Sequence, residues 1–275
     1  MNAQFDLKAE STQISFEPSD DAHLSRLVDE ISRNKTLLAP APENIFVGDG
    51  DYRAIGLEYL GHFVRMGGLK PTHRILDIGC GIGRMAVPLT QYLDPKSGSY
   101  EGIDPVNEGI EWCVQNIASA YPNFRFCRLD VAHELYNPSG TMAGDQVALP
   151  FASNSFDFAA MVSVATHLPA REITAYAREV MRLLVPGGRL FLTAFLLQPE
   201  DPSRPTARPR FIKGEEDGSW IADPAAPLGA IGFDNGIVQD LLQGAGLEIR
   251  QVSFGHWRGI EGTHYQDIII AVKPE

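Results

Sequence analysis

The segment from Asp77 to Arg84 has glycine at alternate positions, Gly79, Gly81 and Gly83, directly after a short apolar run. Glycine permits a sharp turn and lets a ligand approach the backbone, because it has no Cβ atom. A helix that starts after such a loop presents unpaired N–H groups and the positive end of its dipole. The loop therefore predicts a nucleotide or nucleoside site, although nicotinamide, flavin and other nucleotide ligands all use glycine loops.

Three charged residues narrow the choice of ligand. The dinucleotide fingerprint GxGxxG/A needs a small third residue, and at that position this chain has Arg84. Asp77 stands two residues before the first glycine, where its carboxylate would repel a pyrophosphate. Asp104 ends the second predicted strand, where a carboxylate can accept hydrogen bonds from both hydroxyls of a ribose. These residues indicate a nucleoside with a cationic or zwitterionic tail.

The elements that must hold this loop alternate regularly from residue 74 onward. Short apolar runs predict strands over residues 74–78, 99–103, 124–129, 156–162, 189–195, 247–254 and 267–272. Helical periodicity predicts helices over residues 21–38, 52–66, 85–93, 107–120, 173–184 and 234–243. Two of these helices are expected to stop at the pairs Gly67-Gly68 and Gly187-Gly188. Strands separated by helices form parallel βαβ units, whereas a loop alone joins the last two strands and predicts an antiparallel pair.

We therefore expect an α/β fold, namely a doubly wound and mostly parallel sheet of seven strands whose last strand is antiparallel. Residues 1–44 are expected to form an N-terminal arm, over residues 1–20, and a helix, whereas residues 45–275 form one domain. Residues 131–150 and 198–233 are interpreted as insertions on the substrate side, because long loops are commonly lids or binding loops.

The composition argues against several classes of protein. The chain has 275 residues, of which 44% are hydrophobic, and its 23 basic and 35 acidic residues give a net charge of −12. This charge has the wrong sign for a broad nucleic-acid-binding surface. The sequence shows neither a secretory signal nor an apolar run that could span a membrane, and its three cysteines are too few for a disulfide framework or a zinc site. We expect a cytoplasmic protein without nucleic-acid or membrane partners, and the composition leaves monomer and homodimer open.

Five motifs lie in order between residues 74 and 197: LDIGCGIGR, YEGIDP, the LD after the third strand, LPFASNSFDFAAMVSVATHL and EVMRLLVPGGRLFLT. Each motif alone is weak, but the ordered set is specific. Together they resemble the class I S-adenosylmethionine-dependent methyltransferases that act on small molecules. The resemblance implies a Rossmann-like fold, S-adenosyl-L-methionine as the cofactor, S-adenosyl-L-homocysteine as its product, and a small-molecule substrate.

The resemblance also implies roles for the residues of the cofactor site. The methionine and ribose parts would lie along the loop residues Gly79, Cys80, Gly81, Gly83 and Arg84, with Asp77 near the amino group. Asp104 would hold the ribose hydroxyls and Pro105 would lie beside the adenine. Asp130 would accept from the adenine amino group and the Val131 N–H would meet a ring nitrogen. Ser163, after the fourth strand, would lie close to the methionine moiety.

His167 is the candidate catalytic base, because it follows the fourth predicted strand by a few residues, near the expected position of the methyl group. An ordinary pKa near 6.5 suits proton removal at neutral pH; the alternative is a structural histidine. The sequence lacks the motifs of nucleic-acid amino methyltransferases, arginine methyltransferases and magnesium-dependent catechol-type enzymes. We therefore expect no metal, and O-methylation of a sugar or secondary metabolite. N-methylation, a non-catalytic S-adenosylmethionine-binding module and a nicotinamide oxidoreductase are the alternatives.

Three residues outside the cofactor motifs are candidates for substrate binding. Tyr136 lies in the insertion over residues 131–150, and Arg210 lies in a basic stretch of the insertion over residues 198–233. Trp257 could stack on a sugar or an aromatic ring, with core burial as the alternative. Arginine forks suit phosphate or carboxylate groups, so an anionic acceptor such as a nucleotide-linked sugar is expected.

Overall fold

The computed structural model describes residues 18–48 and 50–275. Most of the arm predicted over residues 1–20 lies outside the described residues. The helices are α1 (Pro18–Ser32), α2 (Tyr52–Arg65), α3 (Ala86–Tyr92), α4 (Asn107–Cys113), α5 (Ala170–Leu183) and α6 (Ile237–Gly244). The strands are β1 (Arg74–Ile78), β2 (Ser99–Asp104), β3 (Phe124–Arg128), β4 (Phe156–Met161), β5 (Leu184–Ala194), β6 (Leu196–Leu197), β7 (Ile212–Lys213), β8 (Ser219–Ile221), β9 (Ile231–Asp234), β10 (Glu248–Ser253) and β11 (Asp267–Val272).

Seven strands form the main sheet in the order β10-β11-β5-β4-β1-β2-β3. The pairs β1–β2, β2–β3, β1–β4 and β4–β5 are parallel, whereas β11 runs antiparallel to both β5 and β10. This confirms the predicted fold class, including the antiparallel last strand. Since β1 lies between β2 and β4, the strand order switches direction at β1. The carboxyl ends of β1 and β4 therefore flank the crevice where such sheets bind ligands.

The inner strands β1, β4 and β11 are almost wholly buried, because both faces of the sheet are covered there, whereas the outer strands β3 and β10 are partly exposed. Successive side chains of a strand point to opposite faces. Leu76 and Ile78 of β1 pack in the cluster that includes buried residues of α5 and α6. Ile75 packs on the other face, in the cluster formed with α1, α2 and α3. Helices thus cover both faces and hold the carboxyl ends of the strands in fixed positions. The predicted division between the N-terminal arm and helix, over residues 1–44, and the domain over residues 45–275 stays a prediction.

The described structure differs from the predicted elements at several places. The helix predicted over residues 21–38 is α1, which ends at Ser32. The helix predicted over residues 107–120 is α4 followed by a π-helical turn at Val114–Ala118. Gly187 and Gly188 do not end a helix but lie inside β5, where Gly187 has φ +75° and the pairing with β4 shifts register. Strand β9 ends at Asp234, so α6 begins at Ile237 rather than at residue 234.

The predicted loop over residues 198–233 contains most of a second, small sheet with the strand order β6-β9-β8-β7. Its strands have two to four residues each. Such short strands show no readable alternation, and contacts distant in sequence hold them together. Within the described ranges, no helix combines the length and the apolar character needed to cross a membrane.

Candidate active site

A cavity of about 760 Å³ opens where the parallel strands end. Ile78, Asp104, Leu129 and Val162, which end or directly follow β1, β2, β3 and β4, all line it. Its volume lies within the range of small-molecule sites. The cavity therefore occupies the position that the strand order predicts for a ligand.

The glycine loop forms one wall of the cavity. Gly79, Gly81 and Gly83 have φ values of +78°, +54° and +77°, a left-handed conformation that favours glycine. Gly79, Cys80 and Gly81 line the cavity, whereas Gly83 is not among the lining residues. A Cβ atom on Gly83 would meet Cys113 and Ile117 instead, so this glycine allows close packing on the helix of α4 and its π-turn. Gly83 therefore has a packing role, and its expected ligand contact stays a prediction.

Asp104 ends β2 and lines the cavity beside the glycine loop. Its carboxylate is 7% exposed, and its two oxygens accept hydrogen bonds from the backbone N–H groups of Gly81, at 2.7 Å, and Val106, at 2.8 Å. Each carboxylate oxygen can accept about two hydrogen bonds, so each can still receive a hydroxyl. Burial raises the pKa of Asp104 to about 6, so the group is mostly ionised at neutral pH.

Asp77 lies behind the loop and does not line the cavity. Its carboxylate is 2% exposed and accepts a hydrogen bond from the Tyr100 hydroxyl. Burial raises its pKa to about 7. The described geometry thus gives Asp77 a position beneath the loop, and its expected contact with the cofactor amino group stays a prediction.

The end of β3 departs from the implied adenine contacts. The Asp130 carboxylate accepts hydrogen bonds from Thr141 Oγ1, at 2.7 Å, and from Asn137 Nδ2, at 3.1 Å, and the residue does not line the cavity. The hydrogen bond from Thr141 lowers the pKa of Asp130. Val131 lines the cavity, but its N–H donates to Leu129 O at 2.8 Å. Both polar groups are therefore occupied within the protein, and this wall offers the apolar surfaces of Leu129, Val131 and Pro105.

Arg84 connects the glycine loop to the segment that precedes α2. Its guanidinium donates hydrogen bonds to the carbonyl oxygens of Val47 and Gly48. Phe46, Val47, Gly48 and Arg84 all line the cavity, so the arginine holds residues 46–48 as a wall of it. A large residue fits at the third fingerprint position because its side chain leaves the glycine loop towards this segment.

Ser163 follows β4 in a conformation that non-glycine residues seldom adopt, with φ +57°. Its N–H donates to Thr193 Oγ1 at 2.8 Å, and its hydroxyl donates to Gln266 Oε1 at 3.0 Å. Residues held in such strained positions cluster at functional sites. Ser163 and Gln266 both line the cavity, between the cofactor loop and the region around His167.

His167 lines the same cavity, and both of its ring nitrogens have neighbours from the predicted insertions. Nδ1 lies 2.8 Å from the carbonyl oxygen of Leu228, which can only accept, so Nδ1 carries the proton of the neutral ring. Nε2 therefore has the lone pair, and it lies 3.4 Å from the hydroxyl of Tyr136. Burial lowers the pKa of His167, which favours the neutral imidazole. The geometry gives His167 a defined tautomer with a basic nitrogen in the cavity.

Of the three predicted substrate residues, only Tyr136 lines the cavity. Arg210 is exposed, and its guanidinium donates to Pro205 O at 3.1 Å. Trp257 is 2% exposed and donates from Nε1 to Asp267 at 2.9 Å, inside the cluster with Phe195. Both side chains are thus held by partners within the protein, and neither residue lines the cavity, so their expected substrate contacts stay predictions.

The other basic residues of the insertion are also held elsewhere. Arg204 pairs with Asp201 at 3.0 Å, and Lys213 lies 4.0 Å from the centre of the Trp220 ring. Arg208 donates to the carbonyl oxygens of Pro205 and Ala207. None of these basic residues lines the described cavity, so the argument for an anionic acceptor has no support in the geometry.

Several lining residues were not predicted from the sequence. They are the acidic residues Glu58 and Glu172, and His133, Phe46, Tyr59, Tyr176 and Tyr265. A signal existed for Glu172 and Tyr176, because both lie on the helix that follows β4 and are four residues apart, on one helix face. Among the described residues, no group of three or more histidine, cysteine, aspartate or glutamate side chains could hold a metal ion.

Comparisons with known proteins find that the chain is similar to methyltransferases. Residues 75–188 match the family model described as a methyltransferase domain. The chain is 29% identical over 161 residues to phosphoethanolamine N-methyltransferase 3 of Arabidopsis thaliana, covering 58% of this chain and 29% of that protein. It is 29% identical over 121 residues to sterol 24-C-methyltransferase erg6 of Schizosaccharomyces pombe, covering 44% of this chain and 27% of that protein. The matches thus span less than a third of the length of these curated relatives.

A solved structure of a SAM-dependent methyltransferase from Methanosarcina mazei is also similar. It aligns with a TM-score of 0.50 and 25% identity, over 75% of this chain and 94% of that one. The family match covers β1 to the start of β5, which includes the glycine loop, Asp104 and His167. Residues 75–188 therefore match a methyltransferase domain, and the chain is similar to S-adenosylmethionine-dependent methyltransferases.

Proposed function

We propose that this protein transfers a methyl group from S-adenosyl-L-methionine to a hydroxyl oxygen of a small-molecule acceptor. The observation that carries this proposal is the position of the His167 Nε2 lone pair, in the same cavity as the glycine loop and Asp104. One cavity thus contains groups that suit a nucleoside and a group that suits proton removal.

The residues of the cofactor end fit an adenosyl amino acid. Asp104 has free acceptor capacity for two ribose hydroxyls, and Ile103, Pro105, Leu129 and Val131 offer apolar surface for an adenine. When bound, S-adenosyl-L-methionine supplies a methyl group on a positively charged sulfur. Gly79 and Gly81 line the cavity without a Cβ atom, which lets Val164 and Val47 pack close to the loop as further lining residues.

The protein itself has two tasks in such a transfer. Holding donor and acceptor in line can lower the barrier by about 7–11 kcal/mol. A hydroxyl acceptor must also lose its proton, and a positioned base adds roughly 10²–10⁴-fold to the rate. His167 would take that proton on Nε2, while the Leu228 carbonyl stabilises the resulting imidazolium through Nδ1–H. Deprotonation makes the oxygen a better nucleophile without any further cofactor.

The similar proteins support a small molecule as the acceptor but differ in the atom that their names specify. One is named an N-methyltransferase of phosphoethanolamine and the other a C-methyltransferase of sterols. The choice of oxygen therefore rests on His167. Nitrogen is the second candidate, because the relative with the longer match is named an N-methyltransferase.

Calorimetric titration with S-adenosyl-L-homocysteine, and with NAD as the control, tests the cofactor. We expect binding of the first compound alone. Asp104→Ala should weaken that binding by about 1–3 kcal/mol, the cost of leaving polar partners without an acceptor. Asp104→Asn, which keeps one acceptor oxygen, should weaken it less. Unchanged affinity in both variants would remove Asp104 from the cofactor site.

Transfer itself is tested with methyl-labelled S-adenosyl-L-methionine and a panel of hydroxylated and amino acceptors. Mass spectrometry and NMR of the products identify the methylated atom. Products methylated on oxygen would support the proposal. Products methylated on nitrogen or carbon would contradict the assignment of oxygen, and tight cofactor binding without transfer to any acceptor would indicate a binding module.

A further inference from the structure

The acceptor end of the cavity is lined by acidic and aromatic side chains rather than by basic ones. Among the described lining residues, Arg84 is the only lysine or arginine, and its guanidinium is bonded to Val47 and Gly48. The lining carboxylates are Glu58, Asp104 and Glu172. Asp104 belongs to the cofactor end, and Glu58 lies 3.4 Å from His62. Glu172 is therefore the lining carboxylate that remains to be assigned a partner.

Glu172 lies in the first turn of α5, where a glutamate often closes a capping box with the N-cap residue. The N-cap residue here is Pro169, which has no N–H, so the carboxylate has no such partner. Within residues 18–48 and 50–275, its polar neighbour is the exposed Arg171, at 3.8 Å. The Glu172 side chain is 13% exposed. A contact of 3.8 Å is too long for a hydrogen bond, so the charge of this largely buried carboxylate is not balanced by a directly bonded cation.

The backbone opposite Glu172 is shaped around its carboxylate. A Cβ atom on Gly144 would overlap Oε2 and Cδ of Glu172, so glycine at this position makes space for the group. The nearby His133 has other hydrogen-bond partners. His133 Nε2 lies 3.0 Å from the carbonyl oxygen of His167, and its Nδ1 accepts from the N–H of Leu135, so neither ring nitrogen is bonded to Glu172.

Aromatic rings complete this region. Tyr176 is four residues after Glu172 on the same face of α5, and Tyr136 lies against both His133 and His167. Aromatic faces attract cations, and a desolvated carboxylate forms strong hydrogen bonds with an ammonium group. We propose that the acceptor carries a protonated amino group that binds Glu172 beside Tyr136 and Tyr176, while its hydroxyl faces His167. This inference rests on the proposed function and specifies the class of substrate.

The test compares three phenols of nearly equal shape and different charge: tyramine, which is cationic, 4-(2-hydroxyethyl)phenol, which is neutral, and 4-hydroxyphenylacetate, which is anionic. Binding is measured by calorimetry on protein saturated with S-adenosyl-L-homocysteine. We expect the cation to bind most tightly and the anion least tightly. Glu172→Gln should weaken tyramine binding by about tenfold or more and leave the neutral phenol unchanged.

Glu111→Gln makes the same chemical change on the exposed surface of α4 and controls for the net charge. It should preserve the preference for tyramine. An intact affinity of Glu172→Gln for S-adenosyl-L-homocysteine would show that this variant is folded. If that variant fails to fold, the order of affinities of the unmodified protein for the three phenols tests the inference.

The outcomes separate the two proposals. Absence of S-adenosyl-L-homocysteine binding would contradict the proposed function. If the cofactor product binds, three results would overturn the present inference alone. They are equal affinity for the three phenols, preference for the anion, and no binding of tyramine at millimolar concentration. A preference for tyramine that survives Glu172→Gln would likewise overturn it.

Discussion

At the scale of single residues, the chemistry of His167 depends on which of its nitrogens carries the proton. The Leu228 carbonyl fixes the proton on Nδ1 and leaves Nε2 basic, and burial lowers the pKa of the ring. The residue is therefore neutral at pH 7 and ready to accept a proton. The hydroxyl of Tyr136, 3.4 Å from Nε2, marks a position where an acceptor hydroxyl could also lie.

His167→Ala should lower turnover by about 10²–10⁴-fold, because the transfer then lacks a positioned base. The affinity for S-adenosyl-L-homocysteine should stay unchanged. In the unmodified protein, turnover should rise with pH through an apparent pKa below 6.5 and be flat above pH 7, since burial lowers the pKa of His167. Steady-state kinetics between pH 5 and 8 measure both effects, and equal turnover of the variant would exclude His167 as the base.

Asp77→Asn should make the free energy of unfolding less dependent on pH. Burial raises the pKa of Asp77 to about 7 in the folded protein, against roughly 3.9 in an unfolded chain. The folded state then binds more protons between these values, so the free energy of unfolding falls as pH rises from about 4 to about 7. Each tenfold difference in the acid dissociation constant of Asp77 between the folded and unfolded states changes the free energy of unfolding by about 1.4 kcal/mol.

Urea denaturation at pH 5 and pH 8 measures this effect. At pH 8 the free energy of unfolding of the variant should exceed that of the unmodified protein by about a few kcal/mol. At pH 5 the difference should be smaller. The asparagine oxygen can still accept from Tyr100, which limits other effects of the substitution. An equal difference at both pH values would contradict the raised pKa of Asp77.

At the scale of elements, the segment before α2 forms a wall of the cofactor end because Arg84 holds it. Arg84→Met keeps most of the apolar stem and removes the hydrogen bonds to Val47 and Gly48. Hydrogen bonds from charged donors contribute about 1.5–3 kcal/mol each. We expect amide hydrogen exchange in residues 45–48 to accelerate about tenfold or more, and S-adenosyl-L-homocysteine to bind more weakly.

Arg53→Met is the matched control, since Arg53 donates to Leu37 O outside the cavity. This variant should change exchange near residue 37 and preserve the affinity for the cofactor product. If Arg84→Met showed normal exchange over residues 45–48, the described contacts of Arg84 would not hold this segment in solution.

At the scale of the whole molecule, one buried ion cluster joins the small sheet to the main sheet. Arg258 is 3% exposed and contacts Asp201, at 3.2 Å, and Asp267, at 2.9 Å. Asp201 lies in the insertion and Asp267 begins β11. Arg258 also donates to Leu196 O, next to the start of the small sheet. The cluster thereby holds the insertion, and with it the Leu228 carbonyl, at a fixed place relative to His167.

Arg258→Met should lower the free energy of unfolding by about 3–5 kcal/mol, because it leaves the buried Asp267 without its cation and leaves Asp201 with Arg204 alone. The midpoint of urea denaturation measures the loss. Arg250→Met is the control, since Arg250 and Glu248 form an exposed pair on β10 that contributes about 0–1 kcal/mol. Equal losses in the two variants would show that the buried cluster does not stabilise the fold.

The fold and the cofactor end of the site could be predicted because their signals are local in the sequence. Strand β1, the left-handed glycines and Asp104 at the end of β2 are adjacent or follow within one βα unit. The periodicity of helices and strands fixes the order of elements, and that order brings Asp104 to the glycine loop. The positions of Gly79, Gly81, Asp104 and Ser163 around one cavity follow from this reasoning.

The direction of the longer side chains could not be predicted in this way. Asp130 and Arg210 turn to partners in their own loops, and Trp257 turns to Asp267 in the core. Glu172 lines the cavity, and Gly144, which has no Cβ atom, leaves space for its carboxylate. These preferences depend on contacts between separate segments, which residue type and spacing do not encode.

The sequence by itself determined a doubly wound α/β fold with a nucleoside site at its first glycine loop, because periodicity and loop chemistry act over a few residues. The tertiary structure decided the character of the other half of the cavity. There, residues from α5 and from the insertions over residues 131–150 and 198–233 meet only after folding, and they replace the expected basic surface with Glu172, tyrosines and a neutral His167.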